Sequence, residues 1–154
     1  MTQGTVAALD FLTDMVEAVT PKTDPHHGFV SVGGGRGSTQ PLENRYNSNR
    51  YFDFNINSFS SDDGAAGLSG RKRISVVLRV RYDIPQDPND LQRMMNEDAA
   101  NLIDTLKGPN YDLATTGILS LIPSMPTVEM LLDSNNEQIA QLLLLPFDLL
   151  YLEA

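Results

Sequence analysis

Residues Arg71 to Ile84 read RKRISVVLRVRYDI, and this stretch decides the fold. Ile74, Val76, Leu78, Val80, Tyr82 and Ile84 occupy alternate positions, with Arg73, Ser75, Val77, Arg79, Arg81 and Asp83 between them. Successive side chains of an extended chain point to opposite sides, so this alternation predicts a long β-strand with one face in the core. The other face carries three arginines. They could grip a nucleic acid, a protein partner, or only water.

Working outward from this strand, RYFDFNINSF (50–59) alternates in the same way, with Phe52, Phe54 and Ile56 opposite Asp53, Asn55 and Asn57. Two neighbouring strands joined by a loop most simply form a hairpin. Their connection, SSDDGAAGLSG (60–70), is longer than register requires and is predicted to project beyond the sheet. After the strand, Asp87 reads as an N-cap with Pro88 at the first helical position. Leu91, Met94, Met95, Ala99, Leu102, Ile103 and Leu106 then form an apolar stripe, which Gly108–Pro109 ends. This helix is predicted to cover Phe52, Phe54, Ile56, Ile74, Val76, Leu78 and Val80. Asp98 interrupts the stripe and reads as a polar contact at its edge.

An earlier helix is predicted over Thr5 to Val19 from Val6, Leu9, Leu12, Met15, Val16 and Val19, with Pro21 stopping it. Residues 21–49 are rich in Gly, Ser, Asn and Pro and read as irregular, with a short strand possible at Phe29 to Val32. Their 33–49 portion and the 60–70 loop are predicted to be mobile in a free subunit, having little apolar area to offset ordering. The last third returns to strands. TGILSLIPSMPTVEMLLD (116–133) is interrupted by Pro123 and Pro126, which predicts an edge strand, a bulge or two short strands. QIAQLLLLPFDLLYLEA (138–154) is apolar on both faces, and Pro146 disfavours a helix there. A strand of that kind needs cover on both sides, from the first helix or from a neighbouring subunit.

At 154 residues the chain is long enough for a single domain with a substantial core. It has no cysteine, which excludes a disulfide framework and thiolate chemistry. The N-terminal MTQGTVAALDFLTDMVEAV has acids within its apolar pattern and no basic lead, so it does not read as a signal peptide, and folding in a cytoplasm is expected. The net charge of −9 argues against a general nucleic-acid binder. That charge is unevenly placed. Eight of the eleven basic residues lie between Arg36 and Arg81 against four acids, giving +4 there and −13 elsewhere. Such a chain can attract copies of itself.

Catalytic chemistry has little to stand on. The two histidines, His26 and His27, are adjacent in a loop with no acidic cluster at ligand spacing. GGGRGST (33–39) lacks the lysine of a phosphate-binding loop, and no helix is expected after it. No nucleophile elbow or paired-carboxylate motif is present, so neither an enzyme nor a metal or cofactor site is expected. No aromatic shares the Arg73/Arg79/Arg81 face, which disfavours a single-strand nucleic-acid platform. Arg71, Arg73, Arg79 and Arg81 are therefore the candidate subunit or partner interface, through arginine–carboxylate contacts. A solvated face with scattered salt bridges is the competing reading.

Taken in order, the first helix, the RYFDFNI strand, the small-residue loop, RKRISVVLRVRYDI, the helix DLQRMMNEDAANLIDTLKG and the ending FDLLYLEA resemble the tail terminators of tailed bacteriophages. The resemblance spans roughly Thr5 to Tyr151 and rests on pattern, above all on the basic alternating strand leading into a helix with an internal Asp. It implies an α+β fold, a mainly antiparallel sheet flanked by two helices, forming one subunit of a hexameric ring. It further implies a virion protein that caps the tail tube and joins it to the neck or connector protein, while genome DNA passes through without specific binding. Another neck, head-completion or tube protein, or a nucleic-acid-binding module using residues 71–81, are the alternatives.

Overall fold

The computed structural model describes residues 5–22, 28–31, 50–61, 71–83, 88–107, 118–132, 135–136 and 138–152. In chain order they form α1 (Thr5–Glu17), β1 (Val30–Ser31), β2 (Tyr51–Ser61), β3 (Arg71–Asp83), α2 (Pro88–Lys107), β4 (Ile118–Pro123), β5 (Thr127–Leu132) and β6 (Gln138–Leu152). The strands make one six-stranded sheet in the order β1-β2-β3-β6-β4, with β5 also paired to β6. Every pairing is antiparallel except β1 with β2. The fold is thus α+β, a mainly antiparallel sheet with two helices. The 60–70 loop beyond Ser61, residues 33–49, both histidines and Asp87 lie outside the described residues.

β3 is the hub. It pairs with β2 on one side and along its full length with β6 on the other. Its apolar row, Ile74, Val76, Leu78, Val80 and Tyr82, is completely buried. It lies beside Leu143, Leu145, Phe147, Leu149 and Tyr151 of β6, also buried. Both helices join the same core cluster, α1 through Ala8, Leu12 and Val16 and α2 through Leu91, Met94, Met95, Ala99, Leu102 and Leu106. The four-residue spacing of the α1 contacts is one helix face. Phe54 and Ile56 are only partly buried, because they lie toward the β2 margin of the covered face. α1 ends where Val19 N–H turns back to Val16 C=O at 3.1 Å, and Asn101 Nδ2 of α2 donates to Thr20 C=O at 3.1 Å just beyond.

Pro146 lies within a strand that has neighbours on both sides, and the register explains its tolerance. In an antiparallel strand the N and C=O of one residue face the same neighbour. The Pro146 C=O accepts from Ser124 N–H at 2.9 Å, so its missing N–H faces the Pro123–Pro126 interval between β4 and β5. β4 and β5 are thus two halves of one edge strand, the first along 147–151 and the second along 138–144 of β6. The prolines interrupt the ladder on both sides of the same gap.

α1 does not cover the second face of β6. Both helices pack on the face bearing Leu78 and Leu145, so Leu144, Pro146 and Leu150 remain half-buried on the face without helices. Truncating Leu78 to Ala is expected to cost about 2–5 kcal/mol in urea unfolding, the range for a fully buried leucine. Met125→Ala, 81% exposed in the gap between β4 and β5, should change stability by less than about 0.5 kcal/mol. Equal effects would mean that the covered face is misassigned.

Candidate functional site

Two groups of charged side chains stand out, one on each side of the sheet. On the helix-free face, register sets β2 and β6 residues beside each arginine of β3. Arg79 lies between Asp53 and Leu144, and Arg81 between Tyr51 and Leu142. Arg79 grips Asp53 through both ends of its guanidinium, Nε to Oδ1 at 2.8 Å and Nη2 to Oδ2 at 2.5 Å. The two side chains are 23% and 20% exposed, so water still screens the pair. Arg81 is 1% exposed, and its Nε donates to Asp83 Oδ1 at 3.4 Å. Arg73 is half-buried, and the side chain of Arg71 lies outside the described residues.

Apolar side chains fill in around these ion pairs. Leu142 is buried on this face, with Tyr51, Leu131 and Leu144 packed against it. The face is therefore neither an open basic patch nor a fully solvated one. Two of its arginines are held by carboxylates of the same subunit, which leaves less positive charge for a partner than the sequence suggests. Replacing Arg79 with Glu would set a like charge opposite Asp53, and Arg81→Glu would bring a buried acid next to Asp83 on the same strand.

The second group is buried under α2. Arg50, Tyr82 and Asp98 are all 0% exposed. Arg50 Nε donates to Asp98 Oδ2 at 2.7 Å, and its Nη2 reaches Oδ1 at 3.3 Å. Tyr82 OH donates to the same Oδ2 at 2.7 Å. The guanidinium carbon of Arg50 lies 5.8 Å from the centre of the Phe29 ring, within cation–π range. Asp98 is thus not a polar contact at the edge of the stripe. It is one of the least exposed residues of α2, and it tolerates burial because a bidentate cation and a hydroxyl satisfy both its oxygens.

The Arg50 backbone takes part as well. Its φ is 64°, a left-handed conformation rare for a residue with a side chain. In that position its N–H donates to Arg81 C=O at 2.8 Å and its C=O accepts from Val30 N–H at 3.0 Å. One residue therefore links β1, the end of β3 and α2. Sequence reasoning counted Arg50 only as a charge. The available signal was Asp98 itself, since an acid inside an apolar stripe needs a cation or a donor.

Burial is the main cause that pushes the Tyr82 hydroxyl well above the usual tyrosine value of 10.0, with the Asp98 charge and hydrogen bond adding to it and Arg50 opposing. The three groups have the makings of acid–base chemistry, but none reaches a surface where a substrate could meet it. A cleft of about 330 Å³ lies nearby, lined by Gln92, Met95, Asn96, Val128 and Gln141. None of these described lining residues is titratable. Among the described residues no group of three or more His, Cys, Asp or Glu is placed to hold a metal, and no helix is long and apolar enough to cross a membrane.

The buried triad yields two expectations. Asp98→Asn should destabilise by about 3–5 kcal/mol, because it leaves the Arg50 charge buried without its counter-ion. The joint replacement Arg50→Met with Asp98→Leu should recover much of that loss in the same urea titration. A double variant no more stable than Asp98→Asn would contradict this account. Tyr82 supplies the second. Its folded form holds the proton to higher pH than the unfolded chain, so its contribution is complete below about pH 10 and is lost as pH rises beyond that. Between about pH 9 and 11 the wild type should lose more stability than Tyr82→Phe; parallel profiles would rule the tyrosine out as the cause.

The chain matches no protein-family model and no curated protein.

Proposed function

We propose that this chain is a structural subunit of a tailed-bacteriophage tail, assembling with copies of itself into a ring, six-membered as the resemblance implies, that caps the tail tube and joins it to the neck. The observation that carries this reading is the uneven cover of the sheet. One face is covered by α1 and α2 except at its β5 margin, where Val128 and Met130 stand exposed, while the other face keeps Leu144, Pro146 and Leu150 half-buried. A subunit meant to remain single would gain by making such positions polar. The order of elements in the α+β fold agrees with the resemblance.

The arginines support the same reading over a nucleic-acid module. Phosphate binding draws on cations free to release counter-ions. Arg79 is engaged with Asp53, and Arg81 is buried beside Asp83. Meanwhile Asp14, Glu17, Asp90 and Asp104 are exposed on the two helices. A subunit of this charge lets duplex DNA pass without holding it.

Sedimentation of the purified chain, combined with a titration of nonspecific duplex DNA at low salt, tests the proposal. A species near six subunits without DNA affinity is expected, as is location of the labelled subunit at the tail–neck junction in electron micrographs. A monomer that binds DNA with a steep salt dependence would instead make it a nucleic-acid module. Ring formation with the label elsewhere in the particle would reassign it to another neck or tube component.

A further inference from the structure

The two margins of the sheet are complementary in direction and in face. On one margin, β5 pairs with β6 and has no strand on its other side among the described residues. It carries a single charge, Glu129, and none of the lysines that commonly block open edges. Val128 and Met130 are 54% and 56% exposed. Opposite Leu143 and Gln141 in the register, they lie on the side of the sheet that the helices cover. On the other margin, β1 pairs with β2 only at Tyr51 and Phe52. From Asp53 onward the outer edge of β2 has no strand partner among the described residues, and on its helix-covered side stand the partly buried Phe54 and Ile56.

From these margins we infer that β5 of one subunit adds antiparallel to the outer edge of β2 in a second copy, so that the sheet runs on from subunit to subunit. The directions suit this. β2 and β6 are both antiparallel to β3, and β5 is antiparallel to β6. A neighbour carrying on the sheet in the same orientation therefore meets β5 with an antiparallel β2. The side chains then favour one register. Placing Glu129 opposite Asn55 sets Val128 against Ile56 and Met130 against Phe54, which buries four apolar side chains on one side of the extended sheet. A shift of two residues would instead set Glu129 opposite Asp53, acid against acid. Edge groups that have no strand partner among the described residues gain one, as in other strand additions. The contact joins two different surfaces, so it repeats head to tail and closes into a ring if the rotation allows.

The inference rests on the reading that the chain assembles with itself, but not on a role in a phage tail. The chain contains no cysteine, which makes cross-linking clean. Asn55 and Glu129 are both exposed. The double variant Asn55→Cys with Glu129→Cys, treated with a mild oxidant, should give a ladder of disulfide-linked multiples on a non-reducing gel, while each single variant remains one subunit long. Met130→Lys, which places a charge on the proposed edge, should sediment as a monomer with the circular dichroism and melting of the wild type. A wild type that assembles while the double variant gives no ladder would overturn the strand addition and leave the ring reading standing. Covalent dimers from Glu129→Cys alone would replace it with a β5-to-β5 contact. A wild type that is monomeric at every concentration would overturn it outright. A ladder from protein that never joins tails would remove only the tail assignment.

Discussion

The carboxylate of Asp98 is fully buried, and much of the subunit is arranged around that fact. Taking a carboxylate and a guanidinium out of water costs several kcal/mol for each ion, and their attraction repays this only when geometry is good and the remaining lone pairs are satisfied. Arg50 supplies the fork and Tyr82 the second donor to Oδ2. A buried pair of this kind adds little over well-packed apolar side chains. Its larger effect is on specificity, since arrangements that separate the ions are penalised heavily. A slip of β3 by one residue would turn Tyr82 to the other face and present Arg81 to the core. With Asp98 fixed on α2 and Arg50 tied by its backbone to β1 and β3, that slip would leave a buried charge without its donors.

This explains why Arg50 adopts a left-handed backbone at the head of β2. An extended residue there would continue the strand, whereas φ near 64° turns the chain so that one residue serves three elements. The strain is local and modest, of order 1 kcal/mol. It persists because two backbone hydrogen bonds and a buried ion pair hold the residue in place.

The sequence exposed those features whose cause is local. The alternation in β3 and the stripe in α2 are each written in a single run of residues, so the covered face and the helix over it follow from period alone, while the α+β class came from the resemblance and the sheet bears it out. Pro123 and Pro126 marked an interruption correctly and Pro146 argued rightly against a helix, but that the three share one gap depends on the β4–β6 and β5–β6 registers, which no local pattern fixes. Asp98 and Arg50 are 48 residues apart and belong to different elements, so their meeting depends on where α2 crosses the sheet. The arginine face was placed on the correct side, but its chemistry was not legible. Asp53 meets Arg79 only through the β2–β3 register, and the burial of Arg81 depends on Tyr51 and Leu142 lying in its row.

The charge distribution acquires a direction once the fold is known. Within the described residues, α1 carries Asp10, Asp14 and Glu17 without a basic residue, and α2 exposes Asp90 and Asp104 against Arg93 and Lys107. Part of the basic middle lies on the opposite side of the sheet, held by Asp53 and Asp83. If the sheet runs on from copy to copy, every subunit turns its helices to the same side of the wall. The acidic excess then adds up on that surface, while the surface of paired ions and half-buried leucines lines the other. Among the described residues, a phosphate backbone would meet net acidic charge on the first and, on the second, Arg79 and Arg81 already engaged by carboxylates. Contacts with protein neighbours follow the opposite logic: the helix-free surface offers apolar area around ion pairs that are already made within the subunit.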